Sequence, residues 1–358
     1  MKKVGELENL CSISGLENIK DAREATEANL KDKKCLTKLT LRWKHNGGAA
    51  DNSEKEKDVL DALRPHTSLE YLGIEGYRGT TFSDWIGDSA FVNLVSVRIV
   101  GCDNCILLPL GQLPCLEWLS ISDMMEWKDW SFAILEEEGQ ILFPLLKELR
   151  LYNCPKLNVG LPGCYLPSLK YLWIWNCEEM EVLVPRTIQQ NVTAPPFLAS
   201  VQISDCPVLE SLLHWGSHSK VEKIWLWNTK SLFENRSKWN LQRLSCLKDV
   251  NISGWEDESF PEEGLLPITL NYLMIQGCTN LETLNGKAFQ ELTSLQTLDI
   301  SGCPRLGCLP EEGLPTSLTR LYIDGCPLLK KRCEREKGED WPKIQHITKV
   351  ILDGERIK

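Results

Sequence analysis

The sequence predicts an α/β solenoid, a fold in which one short β-strand and one return segment repeat along the chain. Two observations predict it: the frame Leu-x-x-Leu-x-Ile recurs from Leu36 to Ile323, and its average period is about 26 residues. A length of 358 residues would by itself suggest two or three domains. A solenoid grows by stacking and needs no domain breaks, so we expect one continuous body.

The stretch LKYLWIWNC, from Leu169 to Cys177, shows most clearly what each repeat contributes. Successive side chains of a strand point to opposite faces. Leu172 and Ile174 should therefore enter a core, and the aromatic residues between them should point outward: Tyr171, Trp173 and Trp175.

Twelve copies of the frame are clear. Their aliphatic triplets are Leu36/Leu39/Leu41, Leu69/Leu72/Ile74, Leu94/Val97/Ile99, Leu116/Leu119/Ile121, Leu146/Leu149/Leu151, Leu169/Leu172/Ile174, Leu198/Val201/Ile203, Val221/Ile224/Leu226, Leu247/Val250/Ile252, Leu270/Leu273/Ile275, Leu295/Leu298/Ile300 and Leu318/Leu321/Ile323. The period is that of leucine-rich repeats. We expect a horseshoe with a parallel β-sheet on the concave face and irregular or short helical return segments.

Both ends of the chain depart from the period. Residues 1–35, with a strand near Cys11 to Ile13 and a run of helix-forming residues after it, should form an atypical first repeat or cap. Residues 36–329 hold the twelve repeats. Residues 330–358 should form a C-terminal cap, whose basic cluster is interrupted by glutamates and resembles a solvated surface.

Three return segments are longer than the others. The polar segment at 44–57 should be a mobile loop, and the helix after it should begin with a capping box made by Ser53 and Glu56. The segments at 127–142 and 184–196 are also long.

The cysteines fit a structural role. Seven occupy the position three residues after the third aliphatic, where a leucine-rich repeat places Asn or Cys: Cys102, Cys154, Cys177, Cys206, Cys278, Cys303 and Cys326. A metal site at Cys102-x-x-Cys105 is the alternative, but no second ligand pair follows at zinc spacing. Fifteen cysteines in a long chain suggest free thiols in a reducing, cytoplasmic environment.

Catalysis, cofactors and nucleic acid are not expected. The net charge of −10 disfavours a nucleic-acid groove, and no Walker A loop, GxGxxG, HExxH or G-x-S-x-G motif is present. His214 and His218 lack a third metal ligand, and the acidic run from Glu136 to Glu138 resembles a solvated loop. No apolar run approaches the length of a membrane helix, and the first residues do not resemble a secretory signal.

The outward positions of the strands predict a protein-binding surface. Trp173 and Trp175 on one strand and Trp225 and Trp227 two strands further on should form the walls of a slot about 10 Å wide. Its low polar floor would be Ser200, Gln202 and Ser204. Further outward residues proposed to contact a partner are Trp118, Arg150, Tyr152, Tyr171, Tyr272 and Tyr322.

Two interpretations of these aromatic residues are open. Exposed Trp and Tyr among polar residues are typical of binding hot spots. Aromatic residues also favour strands and pack across them without any ligand.

Three long stretches resemble the repeat region of plant intracellular nucleotide-binding leucine-rich-repeat disease-resistance proteins of the coiled-coil class. They are Leu16 to Trp43, Gly76 to Ile121 and Glu311 to Ile347. The resemblance implies a non-catalytic arm that recognises a pathogen effector or a guarded host protein. It also implies that the arm regulates an adjoining nucleotide-binding module.

The coiled coil and the nucleotide-binding module of such proteins are absent before Met1. We therefore expect a fragment or a truncated gene product, and nucleotide binding is assigned to no residue. The alternative is a generic intracellular adaptor, such as the substrate arm of a ubiquitin ligase. No F-box-like helical segment precedes the repeats, which disfavours it.

Overall fold

The structure is a computed structural model, and it describes residues 9–44, 53–110, 113–130, 143–161, 166–183, 194–213 and 219–358. Outside these residues lie most of the loop at 44–57, most of the long return segments at 127–142 and 184–196, the run Glu136 to Glu138, and both His214 and His218. The chain divides into two compact units, Met1–Pro195 and Pro196–Lys358, which are described separately.

The described part of the first unit is a run of short parallel strands joined by irregular segments. The strands are β1 Leu10–Ser14, β2 Lys38–Arg42, β3 Tyr71–Glu75, β4 Ser96–Val100, β5 Trp118–Ser122, β6 Glu148–Tyr152 and β7 Tyr171–Trp175. The α-helices are α1 Ala22–Thr26 and α2 Ser53–Ala62, and 3-10 helices occupy Leu16–Asn18, Leu30–Asp32 and Asp84–Gly87. Each strand pairs in parallel with the next one along the chain.

The second unit has the same plan. Its strands are β8 Ser200–Ser204, β9 Lys223–Trp227, β10 Asp249–Ser253, β11 Ser259–Phe260, β12 Tyr272–Gln276, β13 Thr283–Leu284, β14 Thr297–Ser301, β15 Arg320–Asp324, β16 Lys349–Leu352 and β17 Glu355–Arg356. Its α-helices are α3 Lys230–Glu234, α4 Gly286–Glu291, α5 Pro327–Arg332 and α6 Trp341–Ile344; 3-10 helices occupy Arg236–Lys238 and Leu241–Arg243. β11 and β13 pair as a separate small sheet, and β17 pairs antiparallel with β16.

The predicted α/β solenoid is confirmed by this arrangement. In register, Leu149 lies opposite Leu172 and Leu151 opposite Ile174, and all four side chains have 0% exposure. Each such side chain contributes at most about 1.5–3 kcal/mol through burial. The division into caps at 1–35 and 330–358 and repeats at 36–329 stays a prediction.

The residue directly after most strands adopts a left-handed conformation. It has a φ between 45° and 80° after every described strand of the main sheet from β3 to β16. Only Gly, Asn and Asp occupy it, because their side chains tolerate this region best. Its N–H also joins one repeat to the next: that of Asn153 donates to the Trp175 carbonyl at 2.8 Å, and that of Gly302 to the Asp324 carbonyl at 2.9 Å.

Where the turn residue is Asn or Asp, its side chain continues the connection between repeats. Asn176 Nδ2 donates to Asn153 Oδ1 at 2.8 Å, and Asn153 Nδ2 donates to Asp123 Oδ1 at 2.7 Å. In the second unit Asn228 Nδ2 donates to Asp205 Oδ1 at 2.9 Å. The turn residue of the next repeat is Gly254. A Cβ at this position would lie only 2.5 Å from Asn228 Oδ1, so the turn accommodates only glycine.

The structural role predicted for the seven cysteines is confirmed. All seven are buried, and each thiol donates to the carbonyl two residues earlier, at 3.3 to 3.6 Å. Cys105 is also buried, which raises its pKa to about 12, and its thiol donates to the Leu107 carbonyl. Both sulfurs of the Cys102-x-x-Cys105 pair therefore serve local packing.

Helix α2 begins at Ser53 as predicted, but the two residues of the predicted capping box make tertiary contacts. The Ser53 hydroxyl accepts from the backbone N–H of Thr80 at 2.9 Å. The buried carboxylate of Glu56 accepts from the Trp43 indole at 2.8 Å. These contacts attach the helix to two repeats, which local spacing could not reveal.

A buried carboxylate fastens the C-terminal segment to the repeats. Asp340 has 0% exposure and accepts from the backbone N–H of Leu309 at 2.9 Å, from Arg332 Nε at 3.0 Å and from Lys343 Nζ at 2.8 Å. Burial alone would raise its pKa, but these bonds outweigh burial and the pKa lies below its ordinary value. Arg332 is thus an exception within the basic cluster predicted to be solvated.

Replacing Asn153 distinguishes two contributions of the turn residue to stability, its side-chain hydrogen bonds and its tolerance of the left-handed conformation. Asn153→Gly removes two side-chain hydrogen bonds and should lower the free energy of unfolding by about 1 kcal/mol. Asn153→Ala loses the same bonds but keeps a Cβ in the left-handed region without the polar side chain that lets Asn tolerate it, so it should cost about 1 kcal/mol more than the Gly variant. Urea denaturation of both variants measures the difference. Equal stability of the two would show that the left-handed turn does not constrain this residue.

Replacing Asp340 tests the C-terminal attachment. Asp340→Asn should lower the free energy of unfolding by about 3 kcal/mol, because Arg332 and Lys343 lose their buried counter-charge. Glu339→Gln is the matched control: Glu339 also pairs with Arg332 but its side chain is 76% exposed, so the change should cost under about 0.5 kcal/mol.

The contribution of Asp340 to the free energy of unfolding should depend on pH, and Asp340→Asn can measure it. Because the folded-state pKa of Asp340 is lowered, its stabilisation is complete above the ordinary value of 3.8 and is lost as pH falls below that value. The stability difference between wild type and Asp340→Asn should therefore shrink in acid. A difference that does not change with pH would contradict the network.

Candidate functional site

In each unit the candidate residues lie on the open face, defined as the side of that unit's strands formed by their first, third and fifth residues. The structure places each of the thirteen predicted contact residues on the open face of its own unit. In the first unit they are Trp118, Arg150, Tyr152, Tyr171, Trp173 and Trp175. In the second they are Ser200, Gln202, Ser204, Trp225, Trp227, Tyr272 and Tyr322.

Arg150 is the centre of the cluster in the first unit. Its guanidinium carbon lies 3.7 Å from the Trp173 ring centroid and 5.8 Å from that of Trp118. Its Nε donates to Glu148, whose carboxylate also accepts from Trp118 Nε1 at 2.9 Å. Cation–π contact and a charged hydrogen bond together hold the guanidinium in one orientation.

The other aromatic residues of this cluster extend it into solvent. Tyr152 and Trp175 meet edge to face, with ring centroids 5.0 Å apart. Tyr171 is 41% exposed and Trp175 is 37% exposed, which is high for residues of their size. The strands β5 to β7 thus present a packed aromatic surface that remains accessible.

A chain of charges lies on the neighbouring strands. Glu75 accepts from Arg42 Nε at 2.8 Å and from Arg98 Nη1 at 2.9 Å. These contacts follow the open face from β2 to β4. Their side chains are between 26% and 47% exposed, so each pair contributes little to stability.

In the second unit, Trp225 and Trp227 lie beside a low polar strand. Ser200 and Ser204 of β8 are buried, and Gln202 lies opposite Trp225 in the register. The two indole rings are 5.8 Å apart. Trp225 Nε1 donates to Asp249 at 3.0 Å and Trp227 Nε1 donates to Asn251 at 3.2 Å, so β10 fixes both rings.

Burial raises the pKa of Asp249, while the Trp225 hydrogen bond and the charge of Lys223 act in the opposite direction. Tyr272 lies opposite Asp249 on the next strand, and burial raises its pKa to about 12. Tyr322 is further along the sheet and accepts from Lys349 Nζ at 3.2 Å. Tyr322 is therefore separated from the tryptophans of its own unit.

The predicted slot has one wall in the first unit and its floor and other wall in the second. The slot as a whole stays a prediction, and so does the role of its residues in binding. Four polar residues of the open face were outside the predicted set: Glu148, Asp249 and Asn251, which accept from tryptophans, and Glu75, which orients Arg42 and Arg98. Each lies at an outward position of a strand next to one that carries an outward Trp or Arg, so the aligned repeats carried a usable signal.

Among residues in the described ranges, no group of three or more His, Cys, Asp or Glu side chains could hold a metal ion. No helix in the part of the chain that the structure describes has the length and apolar character needed to cross a membrane.

Comparison with known sequences finds one matching family of leucine-rich repeats and several related proteins. Residues 1–124 match the family described as R13L1/DRL21 leucine-rich repeats. The chain is 32% identical to the disease resistance protein RGA4 of Solanum bulbocastanum, over 98% of this chain and 36% of RGA4. It is 28% identical to the disease resistance RPP13-like protein 1 of Arabidopsis thaliana, over 93% of this chain and 31% of that protein. The chain thus spans about a third of the length of these relatives.

Comparison with solved structures finds matches to other leucine-rich-repeat proteins. The leucine-rich-repeat domain of the type III effector XopL aligns with 90% of this chain and 77% of its own, at 15% identity and a TM-score of 0.31. A leucine-rich-repeat protein of Leptospira interrogans aligns with 99% of this chain and 86% of its own, at 16% identity and a TM-score of 0.40.

Two Trp-to-Phe changes test how the rings are held. Trp225→Phe removes a hydrogen bond to a carboxylate, whereas the buried Trp173 Nε1 has no acceptor among the described residues. Trp225→Phe should therefore lower the free energy of unfolding by about 1.5 kcal/mol more than Trp173→Phe. It should also raise the pKa of Asp249 further, which a carboxyl NMR titration would measure. Equal losses of stability would show that the Asp249 bond does not position Trp225.

Proposed function

We propose that this chain, whose sequence is similar to parts of plant disease-resistance proteins, is a non-catalytic protein-binding module of an innate-immune receptor. The single observation that carries the proposal is the aromatic cluster on the open face of β5 to β7. Leucine-rich-repeat folds are generally interaction modules, and large aromatic side chains held in place but exposed are typical of binding hot spots.

Preorganisation is the physical argument for binding at this cluster. A side chain that is already ordered loses less conformational freedom when a partner binds, so more of the contact energy appears as affinity. Arg150 is fixed by Glu148 and by the Trp173 ring. The alternative, aromatic packing without a ligand, does not require Tyr171 and Trp175 to stay more than a third exposed.

We propose further that the partner is a pathogen effector or a guarded host protein, as in the family that the sequence resembles. Binding would then regulate an adjoining nucleotide-binding module of the receptor. We place the protein in the cytoplasm, because the described cysteines carry thiols, which a reducing compartment maintains.

Binding can be tested with Trp173→Ala combined with Trp225→Ala. We expect the double variant to fold as the wild type does and to bind its partner at least about thirtyfold more weakly, the effect of a single hot-spot residue. The partner would be captured from infected leaf extract, identified by mass spectrometry, expressed, and titrated calorimetrically against both proteins.

Phe197→Ala combined with Ile268→Ala is the matched control. These side chains are 58% and 63% exposed but precede their strands, outside the open face, so affinity should not change. The two single Trp variants show separately whether Trp173 and Trp225 each contribute to the affinity. Unchanged affinity in the Trp double variant would remove these residues from the proposed function.

A further inference from the structure

We propose that the open face of the first unit binds an acidic segment of the protein partner through Arg98 and Arg150. The inference deepens the proposed function and rests on it, since it assumes that this face contacts a protein. The residues concerned form what we call the basic cleft: Arg98 on β4, Ser120 and Ser122 on β5, and Arg150 on β6.

The register of the strands creates the cleft. Ser120 lies directly opposite Arg98 on one side and opposite Arg150 on the other. Neighbouring strands are about 4.8 Å apart, so the backbones that carry the two arginines stand about 10 Å from each other. Ser120 is small and only 7% exposed, which leaves a low floor between two long cationic side chains.

Both guanidinium groups keep donors available. Arg98 is 41% exposed and makes one carboxylate contact, from Nη1 to Glu75. Arg150 is 32% exposed, lies over the Trp173 ring, donates to Glu148 through Nε and also makes a side-chain hydrogen bond with Tyr152. A guanidinium has five N–H donors, which is more than these contacts use. The N–H groups of a guanidinium lie in its own plane, so the aromatic ring beneath Arg150 does not cover them and a carboxylate can accept two of them.

The charge of the face indicates the sign of the ligand. On strands β1 to β7 the open face carries four cationic residues, Lys38, Arg42, Arg98 and Arg150, and two acidic ones, Glu75 and Glu148. Four minus two leaves +2, although the whole chain has a net charge of −10. Both glutamates already accept hydrogen bonds from residues of the same face. An excess of positive charge confined to one surface favours an anionic partner.

The second unit lacks this excess. The open face of β8 to β16 carries Lys223, Arg320 and Lys349 against Asp249, Asp299 and Asp324, so its charges balance. The occupant of the basic cleft should be a peptide with glutamate or aspartate carboxylates. A nucleic acid is disfavoured because the chain as a whole would repel a long polyanion.

The test uses the full chain and a fluorescein-labelled peptide of eight residues in which Glu and Leu alternate, with binding followed by fluorescence anisotropy at low salt. A second peptide carries Gln in place of Glu. We expect the Glu peptide to bind at least about tenfold more tightly than the Gln peptide and to lose affinity as salt is added. Arg98→Gln combined with Arg150→Gln should remove that preference.

Arg320→Gln combined with Lys349→Gln is the matched control, since it removes the same charge from the open face of the second unit. Affinity for the Glu peptide should stay within about twofold of wild type. Arg98→Lys combined with Arg150→Lys keeps the charge and alters the fork geometry, so it should retain part of the preference if the Gln variant does not fold.

Equal binding of the two peptides to the wild type, or equal loss in the control variant, would overturn the inference. Neither result would affect the proposed function, which depends on Trp173 and Trp225 and is tested with the captured partner. A chain that binds the captured partner through its tryptophans but shows no preference for the Glu peptide would retain the function and lose the acidic ligand.

Discussion

The left-handed turn that follows the strands determines most of the described architecture. It sends the chain from the sheet into the core, where the next residue is often a buried cysteine whose thiol bonds back to the end of the strand. The same turn directs its N–H to the last carbonyl of the following strand. Because this contact recurs at the same position in most of the described repeats, it favours pairing of the strands without a register shift.

Strict alignment has a chemical consequence on the open face. Outward side chains of neighbouring strands stand opposite each other in rows, so a tryptophan on one strand reaches a carboxylate or an amide on the next. Trp118 bonds to Glu148, which lies directly opposite it, whereas Trp225 and Trp227 bond diagonally to Asp249 and Asn251, each two residues before the directly opposite position. A hydrogen bond at the edge of each indole fixes the ring while leaving part of it for a ligand.

Charged side chains contribute differently to stability on the exposed face and in the interior. On the exposed face, ion pairs such as Arg42 with Glu75 are screened by solvent and orient side chains more than they stabilise the fold. Asp340 is different, since it is enclosed and receives donors from two cations and one backbone amide. Because Asp340 is buried, removing its charge should lower the free energy of unfolding substantially. A single carboxylate can therefore hold the C-terminal segment against Leu309.

Sequence periodicity determined the fold class, because a frame repeated at a fixed period is typical of stacked repeats. It also determined which strand residues point inward or outward, because alternate residues of a strand face opposite sides. It also placed the seven structural cysteines. The Gly, Asn or Asp before each of them was a further signal of the left-handed turn, since few other residues tolerate it.

The partners of individual side chains were decided only by the tertiary structure. Glu56 reaches Trp43, and Arg332 reaches Asp340, through contacts between segments whose approach depends on packing. The low floor at Ser120 and the stacking of Arg150 on Trp173 likewise arise from alignment of separate repeats. Local patterns fix which face a residue occupies, but what lies opposite it depends on how the repeats stack.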